Sequence, residues 1–307
     1  MFTVSCTSDK IWNITELVGF LAANQNKSIV LNITPEAICL ANIGLYALLD
    51  KFEFNKVIIK TWNPLEQHTK YQIKHIGSNF WFGRTAKIDK NLHTWNLYKL
   101  FLCFYHRPTA GRLGLAAHLY TTFSDTSLIH FSTDDVVDFE LDKLLSWDIE
   151  SAAAASKLLL KLPLLLGSTD GYTKFDGYYY NDPLTNLYSN ILIDVVVESH
   201  VAGQTFFPTE KTVRPMLLKK PFIMFGSRNY LAYLRQMGFR TFSDFWDEDY
   251  DGYECADRLL KIKKLLDKLA QKSTNELETM YQDMQYTLDH NYNLLTTQNY
   301  TTQITEI

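Results

Sequence analysis

The sequence predicts an α/β fold with two Rossmann-like domains, followed by a helical C-terminal region. Short apolar runs alternate along the chain with amphipathic stretches, as in proteins that cover a parallel sheet with helices. The run ILIDVVV at 191–197 is continuously apolar apart from one aspartate, which indicates a strand with both faces covered. A chain of 307 residues has room for about two domains.

The first α/β domain is predicted over residues 1–96, on the acceptor side of the molecule. The runs SIVLNI (28–33) and KVIIKTW (56–62) have the composition of buried strands. Between them, Pro35 is expected to open a helix through PEAICLANIGLYALLDKF. This strand–helix–strand order predicts a parallel pair of strands. Residues 64–95 are polar and are expected to be irregular.

The second α/β domain is predicted over residues 97–253 and the helical region over 254–307. The predicted strands of the second domain are KLFLCFY (99–105), SLIHFS (127–132), ILIDVVV (191–197) and PFIMFG (221–226). The predicted helices cover 113–123, 139–160, 209–218 and 229–238. Residues 167–183 are rich in turn formers and predict a long loop. Apolar residues at helical spacing continue to about residue 295.

The net charge, the cysteine spacing and the apolar runs restrict the class of protein to which this sequence can belong. The net charge is −4, whereas proteins that grip a nucleic-acid backbone usually carry a basic surplus. The four cysteines are too widely spaced for a zinc knuckle or a redox pair, and scattered thiols favour a reducing compartment. No apolar run is long enough to span a bilayer, and the N-terminus does not resemble a signal peptide. We therefore expect a cytoplasmic protein without a membrane span, in the host cytoplasm if the protein is viral.

A candidate nucleotide site follows the strand 191–197. That strand delivers Glu198 to its carboxyl end, and a helix then begins with Thr209, Glu210 and Lys211. Ligands of open α/β sheets bind at this edge, and helix N-termini favour anions. Lys211 could bind phosphate and Glu210 a ribose diol. The alternative is a capped helix with a solvated Glu–Lys pair.

A second candidate lies in the loop after the strand 99–105. This loop contains His106, Arg107 and Arg112, and arginines can bind a diphosphate with two parallel hydrogen bonds. The alternative interpretation is a surface turn whose charges have no common purpose.

The stretch 195–242 resembles the donor-binding half of the α-1,3-fucosyltransferases. In that family a strand ends in an F-E-N type motif, and a short loop, the motif T-E-K, a helix and a strand beginning Pro-Val follow. Here the strand ends in Glu198, and Thr209-Glu210-Lys211, an apolar helix, Lys-Pro and the strand PFIMFG follow. The asparagine of the family motif is replaced by Ser199, so the resemblance does not extend to the choice of sugar.

The resemblance implies a two-domain GT-B fold and a nucleotide diphosphate sugar as donor substrate, with no cofactor. Glu210 would bind the ribose, Lys211 the diphosphate, and Glu198 would lie at the first motif. The run GSRNYLAYLRQMGFRTFSDFWDEDYD is also similar to uncharacterised phage and marine-virus proteins for which glycosyl transfer is the suspected activity. That similarity makes a modified base in viral DNA one acceptor class, and a glycan is the other.

The sequence lacks the motifs of several other kinds of functional site. The acidic loop around Asp247, Asp249 and Asp251 opens like a calcium-binding EF-hand, but Arg258 stands where the loop needs a bidentate glutamate. The sequence has no H-x-x-x-H pair, P-loop, G-x-S-x-G or G-x-G-x-x-G motif. No D-x-D motif follows a strand, so we expect that a metal is not essential.

The sequence thus predicts a nucleotide-sugar-dependent glycosyltransferase. An inverting transfer needs a general base near the acceptor hydroxyl. Asp9, Glu36 and Glu66 are the acidic candidates near predicted strand ends, and Glu36 is the preferred one. The alternatives are a viral protein that binds or sequesters a nucleotide without turnover, and a structural virion protein. An enzyme is expected to be a monomer or dimer, whereas a virion protein would assemble further.

Overall fold

The computed structural model describes residues 1–6, 10–33, 37–76, 99–132, 140–166 and 187–297. Contacts group the chain into two compact units. Unit 1 contains Met1–Gly83, Ser199–Pro208 and Asn299–Ile307, and unit 2 contains Arg84–Glu198 and Thr209–Gln298. This grouping differs from the predicted ranges, and the first boundary follows Gly83 rather than residue 96. Residues 199–208 belong with unit 1, and the C-terminal helices belong with unit 2 rather than forming a separate region.

Unit 1 contains a four-stranded parallel sheet with the order β1-β2-β3-β4. The strands are β1 (Phe2–Thr3), β2 (Ser28–Ile33), β3 (Lys56–Thr61) and β4 (Gln72–His75). The two predicted strands are confirmed, and they pair in parallel from Ser28 opposite Lys56 to Ile33 opposite Thr61. The strand β4 is an addition to the prediction, because its mostly exposed residues QIKH lack an apolar run.

The helices of unit 1 are α1 (Ile14–Ala23) and α2 (Leu45–Leu49). The helix predicted from Pro35 is wrong over residues 37–44, because side chains from elsewhere in unit 1 bind that backbone. Glu66 accepts a hydrogen bond from the N–H of Leu40 at 3.0 Å, and Asn63 donates to the carbonyl of Ile38 at 3.3 Å. Thr205 donates to the carbonyl of Ala37 at 2.5 Å. These bonds replace the helical ones.

The segment 199–208 packs within unit 1 around the side chain of Asn63, which is fully buried. Asn63 donates to the carbonyl of Gln204 at 2.8 Å and accepts from the N–H of Phe206 at 3.4 Å. Gly203 has a φ of +74°, and a Cβ there would lie 2.8 Å from the Cβ of Cys39. The segment therefore needs glycine at this position.

Unit 2 contains a second parallel sheet, with the order β6-β5-β7-β8. All four predicted strands are confirmed. They are β5 (Lys99–Tyr105), β6 (Ser127–Phe131), β7 (Ile191–Val197) and β8 (Phe222–Phe225). Every residue of β7 is buried, which agrees with the continuous apolar pattern of this strand.

Helices cover both faces of this sheet. They are α3 (Ala110–Thr122), α4 (Leu141–Trp147), α5 (Ile149–Leu159), α6 (Glu210–Leu217) and α7 (Tyr230–Gln236). Phe101 of β5 contacts Phe123 at the end of α3, and Phe104 contacts Arg214 of α6. Phe101 and Phe104 are three residues apart in the strand, so their side chains point to opposite faces. The helices α3 and α6 therefore cover opposite faces.

The C-terminal part of unit 2 consists of α8 (Cys255–Ala270), α9 (Thr274–Asp283) and α10 (Gln285–Thr297). The predicted leucine stripe is buried along α8. The long helical stretch is interrupted at Ser273, whose hydroxyl caps α9 in a capping box with Glu276. These breaks turn one predicted helical region into three helices.

The prediction of an α/β protein is confirmed at the level of two parallel sheets with flanking helices. The helices in the part of the chain that the structure describes are all too short or too polar to cross a membrane.

One lysine of unit 2 is enclosed by the fold. Lys220 precedes β8 and has no exposed surface. Its Nζ atom donates to the hydroxyl of Tyr281 in α9 at 3.4 Å and lies 5.1 Å from the centre of that ring. Burial lowers the pKa of Lys220 to about 7. In the unfolded chain the lysine keeps its ordinary, higher pKa, so folding releases a proton between these two values.

We expect Lys220→Met to stabilise the protein most strongly below pH 7, where the folded wild type must bury a charge. Above pH 7 the wild type gains about 1 kcal/mol per pH unit relative to the variant, because its folded form is neutral while the unfolded chain stays protonated. Urea unfolding between pH 6 and 9.5 measures this difference. Lys264→Met on the exposed side of α8 is the control. A constant difference between wild type and K220M across that range would contradict the assignment.

Candidate functional site

The strand order of unit 2 creates a topological switch point between β5 and β7. From β5 the chain crosses through α3 to β6 on one side, whereas from β7 it crosses through α6 to β8 on the other. In open α/β sheets, the crevice at the carboxyl ends of two such strands is where ligands bind. Here the helices α3 and α6 both begin at this edge. The switch point therefore lies between two helix N-termini, whose backbone dipoles favour an anion.

The start of α6 is fixed by the carboxylate of Glu198, which follows β7 and is 1% exposed. Oε1 accepts from the N–H of Thr209 at 3.0 Å and from the hydroxyl of Thr212 at 2.5 Å. Oε2 accepts from the hydroxyl of Thr209 at 2.6 Å. The hydroxyl of Tyr230 in α7 also donates to Oε1, at 3.2 Å. One side chain thus joins the end of β7 to the starts of α6 and α7.

These contacts define what Glu198 and Thr209 do in the fold. Thr209 is the predicted N-cap of α6, and its hydroxyl accepts from the N–H of Lys211 at 3.3 Å. Both carboxylate oxygens of Glu198 are bound by the protein itself. The two residues, predicted to contact a donor directly, therefore lie beneath the first turn of α6 and hold it in place.

Glu210 and Lys211 form the first turn of α6 and remain partly accessible, with 21% and 18% of their side chains exposed. The ammonium of Lys211 lies 2.5 Å from Oε1 of Glu210 and 3.2 Å from the hydroxyl of Thr209. Burial would raise the pKa of Glu210, but Lys211 and Arg214 outweigh it, so this pKa lies below the usual value. Glu210 is therefore an ionised acceptor at neutral pH.

Arg112 in the first turn of α3 is the most unusual group of the site, because its charged side chain is only 4% exposed. Nη1 donates to the carbonyl of Arg107 at 3.3 Å, which turns the guanidinium towards the start of the helix. Nε is buried and has no hydrogen-bond partner among the described residues. Burial lowers the pKa of Arg112, and the charges of Glu210 and Glu198 oppose this shift. Arg112 is thus close enough to Glu210 and Glu198 for their charges to interact.

His106 and Arg107 continue from β5 and are exposed. Nδ1 of His106 lies 2.8 Å from the hydroxyl of Ser132, which follows β6. At the start of α3, the N–H of Ala110 donates to the carboxylate of Glu140 at 2.9 Å. A carboxylate of the protein thus already occupies one N–H of this helix end.

All seven residues predicted for the donor site belong to unit 2 and border the carboxyl ends of β5 and β7 or the helices that follow. Two of them are buried supports, three line the α3 side and two line the α6 side. The arrangement presents guanidinium, ammonium and backbone N–H groups next to one ionised carboxylate. Such a set can bind a phosphate or diphosphate and accept hydrogen bonds from a neighbouring diol.

The predicted catalytic base is not part of this cluster. Glu36 and Asp9 lie outside the described residues. Glu66 is 6% exposed, and its carboxylate accepts from the hydroxyl of Tyr46 at 2.6 Å as well as from Leu40. Glu66 therefore supports the backbone of unit 1.

The acidic loop before α8 serves the fold of unit 2. The carboxylate of Asp251 accepts from the N–H groups of Leu231 at 3.0 Å and Ala232 at 3.2 Å, and so caps α7. Asp249 pairs with Lys261 at 2.6 Å. Within the described residues there is no cluster of three or more histidine, cysteine, aspartate or glutamate side chains that could hold a metal ion.

Sequence reasoning missed a buried polar chain under the α6 side of the site. Arg214 in the second turn of α6 donates from Nε to the hydroxyl of Tyr188 at 2.6 Å, and that hydroxyl donates to Asp194 in β7. All three residues are at most 3% exposed. The available signal was the single aspartate in the otherwise apolar run ILIDVVV, because a central strand position seldom holds a carboxylate without a partner.

We expect Glu198→Gln to destabilise unit 2 by about 2–4 kcal/mol, because the amide brings donor hydrogens against hydroxyl and N–H donors. Chemical unfolding followed by circular dichroism measures the change. Glu254→Gln, at a glutamate whose side chain is 70% exposed, is the matched control and should change stability little. Wild-type stability in E198Q would show that this carboxylate does not hold the site together.

Comparison with protein-family models and with curated proteins gives no match for this chain. The resemblance to the α-1,3-fucosyltransferases therefore stays a prediction that rests on the residues quoted for it, and the site is assigned from its geometry.

Proposed function

We propose that the protein is a glycosyltransferase that moves a sugar from a nucleotide diphosphate sugar to an acceptor hydroxyl. Unit 2 binds the donor at the switch point between β5 and β7. The diphosphate lies against Arg112, Lys211 and the N-terminus of α6, and the exposed Arg107 and His106 border the same place. Glu210 accepts hydrogen bonds from the ribose.

The observation that carries this proposal is the guanidinium of Arg112. A buried charge without a full set of hydrogen bonds is expensive for a folded protein. Its Nε atom has no partner within the described part of the chain, and it lies in the first turn of a helix at a switch point. An anionic ligand at this point would supply the missing acceptor and offset the cost.

The chemistry of the transfer follows from this placement. The acceptor oxygen attacks the anomeric carbon, the bond from that carbon to the phosphate oxygen breaks, and its electron pair leaves with the diphosphate. The cations of the site and the α6 N-terminus stabilise the charge that develops on this leaving group. The acceptor proton passes to a general base, for which Glu36 remains the candidate.

We further propose that the two units correspond to the donor and acceptor domains of a GT-B arrangement. The parallel sheet of unit 1 supports an α/β acceptor domain. The acceptor is a hydroxyl of a modified base in viral DNA or of a glycan. The net charge of −4 favours the glycan, because a large DNA footprint needs a basic surface.

A thermal-shift panel of nucleoside diphosphates and nucleotide sugars tests the proposal. A ligand present at 100 times its Kd stabilises the folded protein by about 2.7 kcal/mol. A selective shift should be followed by release of the nucleoside diphosphate when an acceptor is added. Tight binding without any release would indicate a nucleotide-sequestering protein. A folded sample that responds to none of these ligands would refute the donor site.

We expect Arg112→Met to weaken binding of the nucleotide identified in this panel by about 10- to 100-fold, the value of a charge-assisted hydrogen bond. The melting temperature of the ligand-free variant should stay the same or rise, because an incompletely paired buried charge is removed. Isothermal titration calorimetry gives the affinity. Arg228→Met, which removes an exposed arginine, is the control. Unchanged affinity in R112M would contradict the assignment.

We expect Lys211→Ala to lower kcat as well as affinity, because the charge on the diphosphate increases in the transition state. The measurement is release of the nucleoside diphosphate at saturating donor. If kcat keeps its wild-type value and only KM rises, Lys211 binds the ground state and the transition state equally.

A further inference from the structure

The buried chain Asp194–Tyr188–Arg214 has no evident value for stability. A charged pair separated by a tyrosine hydroxyl is desolvated inside unit 2, where apolar side chains of similar volume would pack at least as well. The direction of its hydrogen bonds is fixed, since Arg214 can only donate to Tyr188 and Tyr188 therefore donates to Asp194. The guanidinium also lies 4.9 Å from the ring centre of Phe104. Arg214 is thus held from several sides.

Arg214 lies on the same side of α6 as Glu210. The two residues are four positions apart, which places them one above the other on a helix. Their charges interact strongly enough for each to shift the pKa of the other towards the ionised form.

The charge of Arg214 matters because Lys211 has two competing partners, Glu210 and the diphosphate of the proposed ligand. In the structure its ammonium is bound to Glu210 at 2.5 Å. If Lys211 turns to a diphosphate, Glu210 is left partly buried without its nearest counter-charge. A partly buried carboxylate without a counter-charge tends to take up a proton, and it would then lose its capacity to accept two hydrogen bonds.

We propose that Asp194, Tyr188 and Arg214 are positioning residues that keep Glu210 ionised and oriented towards a ribose diol while Lys211 binds phosphate. This inference rests on the proposed function. It assigns to these three residues the discrimination between ribonucleotides and 2′-deoxyribonucleotides. Arg214 does not touch the ligand. It acts through Glu210, and it is itself fixed by Tyr188 and Asp194.

The test compares GDP and UDP with their 2′-deoxy counterparts and with inorganic pyrophosphate. The wild type should bind GDP or UDP about 10-fold or more tightly than the deoxy form, the value of a hydrogen bond to a charged group. Tyr188→Phe and Arg214→Met should reduce this ratio to near one, as should Glu210→Gln. The affinity of Y188F and R214M for pyrophosphate should stay within about threefold of wild type. Tyr286→Phe, at an exposed tyrosine of α10, should keep the full ratio.

The outcomes separate this inference from the proposed function. If the wild type binds GDP or UDP but Y188F and R214M keep the ribose preference, the inference fails and the donor site stands. The same conclusion follows if both variants lose ribonucleotide, deoxyribonucleotide and pyrophosphate binding equally, which would be a purely structural effect. If the wild type binds none of these ligands, both proposals fail. Y188F retains the charge of Arg214 but removes the hydroxyl that orients it, so it remains informative even if R214M does not fold.

Discussion

The carboxylate of Glu198 is the interaction on which the site depends. A parallel strand can deliver a side chain to the edge of a sheet, but it does not determine how the next helix begins. Here one buried carboxylate accepts four hydrogen bonds, from Thr209, Thr212 and Tyr230. The first turn of α6 is therefore placed relative to β7 by short polar bonds rather than by apolar packing alone. Groups on that turn inherit this fixed position, as a preorganised binding site requires.

Around this anchor, unit 2 concentrates charge where a fold built only for stability would not. Arg112, Asp194, Glu198 and Arg214 are each at most 4% exposed, and all lie at or beneath the carboxyl ends of β5 and β7. Lys220, which precedes β8, and Arg258 in α8 are further buried charges of unit 2. Binding sites commonly contain oriented charges that reduce the stability of the surrounding fold.

The sequence was most informative where local pattern and tertiary structure agree. The strand β7 and the helix start at Thr209 were predicted to the residue, because a continuous β-branched run and an N-cap are local signals. The helix predicted from Pro35 failed over residues 37–44, since Asn63, Glu66 and Thr205 bind that backbone from distant positions. Arg107 and Arg112 could be named from the sequence, but Arg112 belongs to α3, which begins at Ala110 rather than at the predicted residue 113. The burial of Arg112 could not be predicted, because it results from how α3 packs on the sheet.

The packing of residues 199–208 within unit 1 affects when the fold of that unit can be completed during synthesis. Synthesis produces the strands of unit 1 first, yet Asn63 at the end of β3 obtains its partners Gln204 and Phe206 only after more than a hundred further residues. Until then a side chain that is fully buried in the finished protein lacks these partners, and the carbonyl of Ala37 lacks the hydroxyl of Thr205. The strands of unit 1 are therefore synthesised first, but the packing of unit 1 is completed only after β5 and β7 of unit 2 have been made.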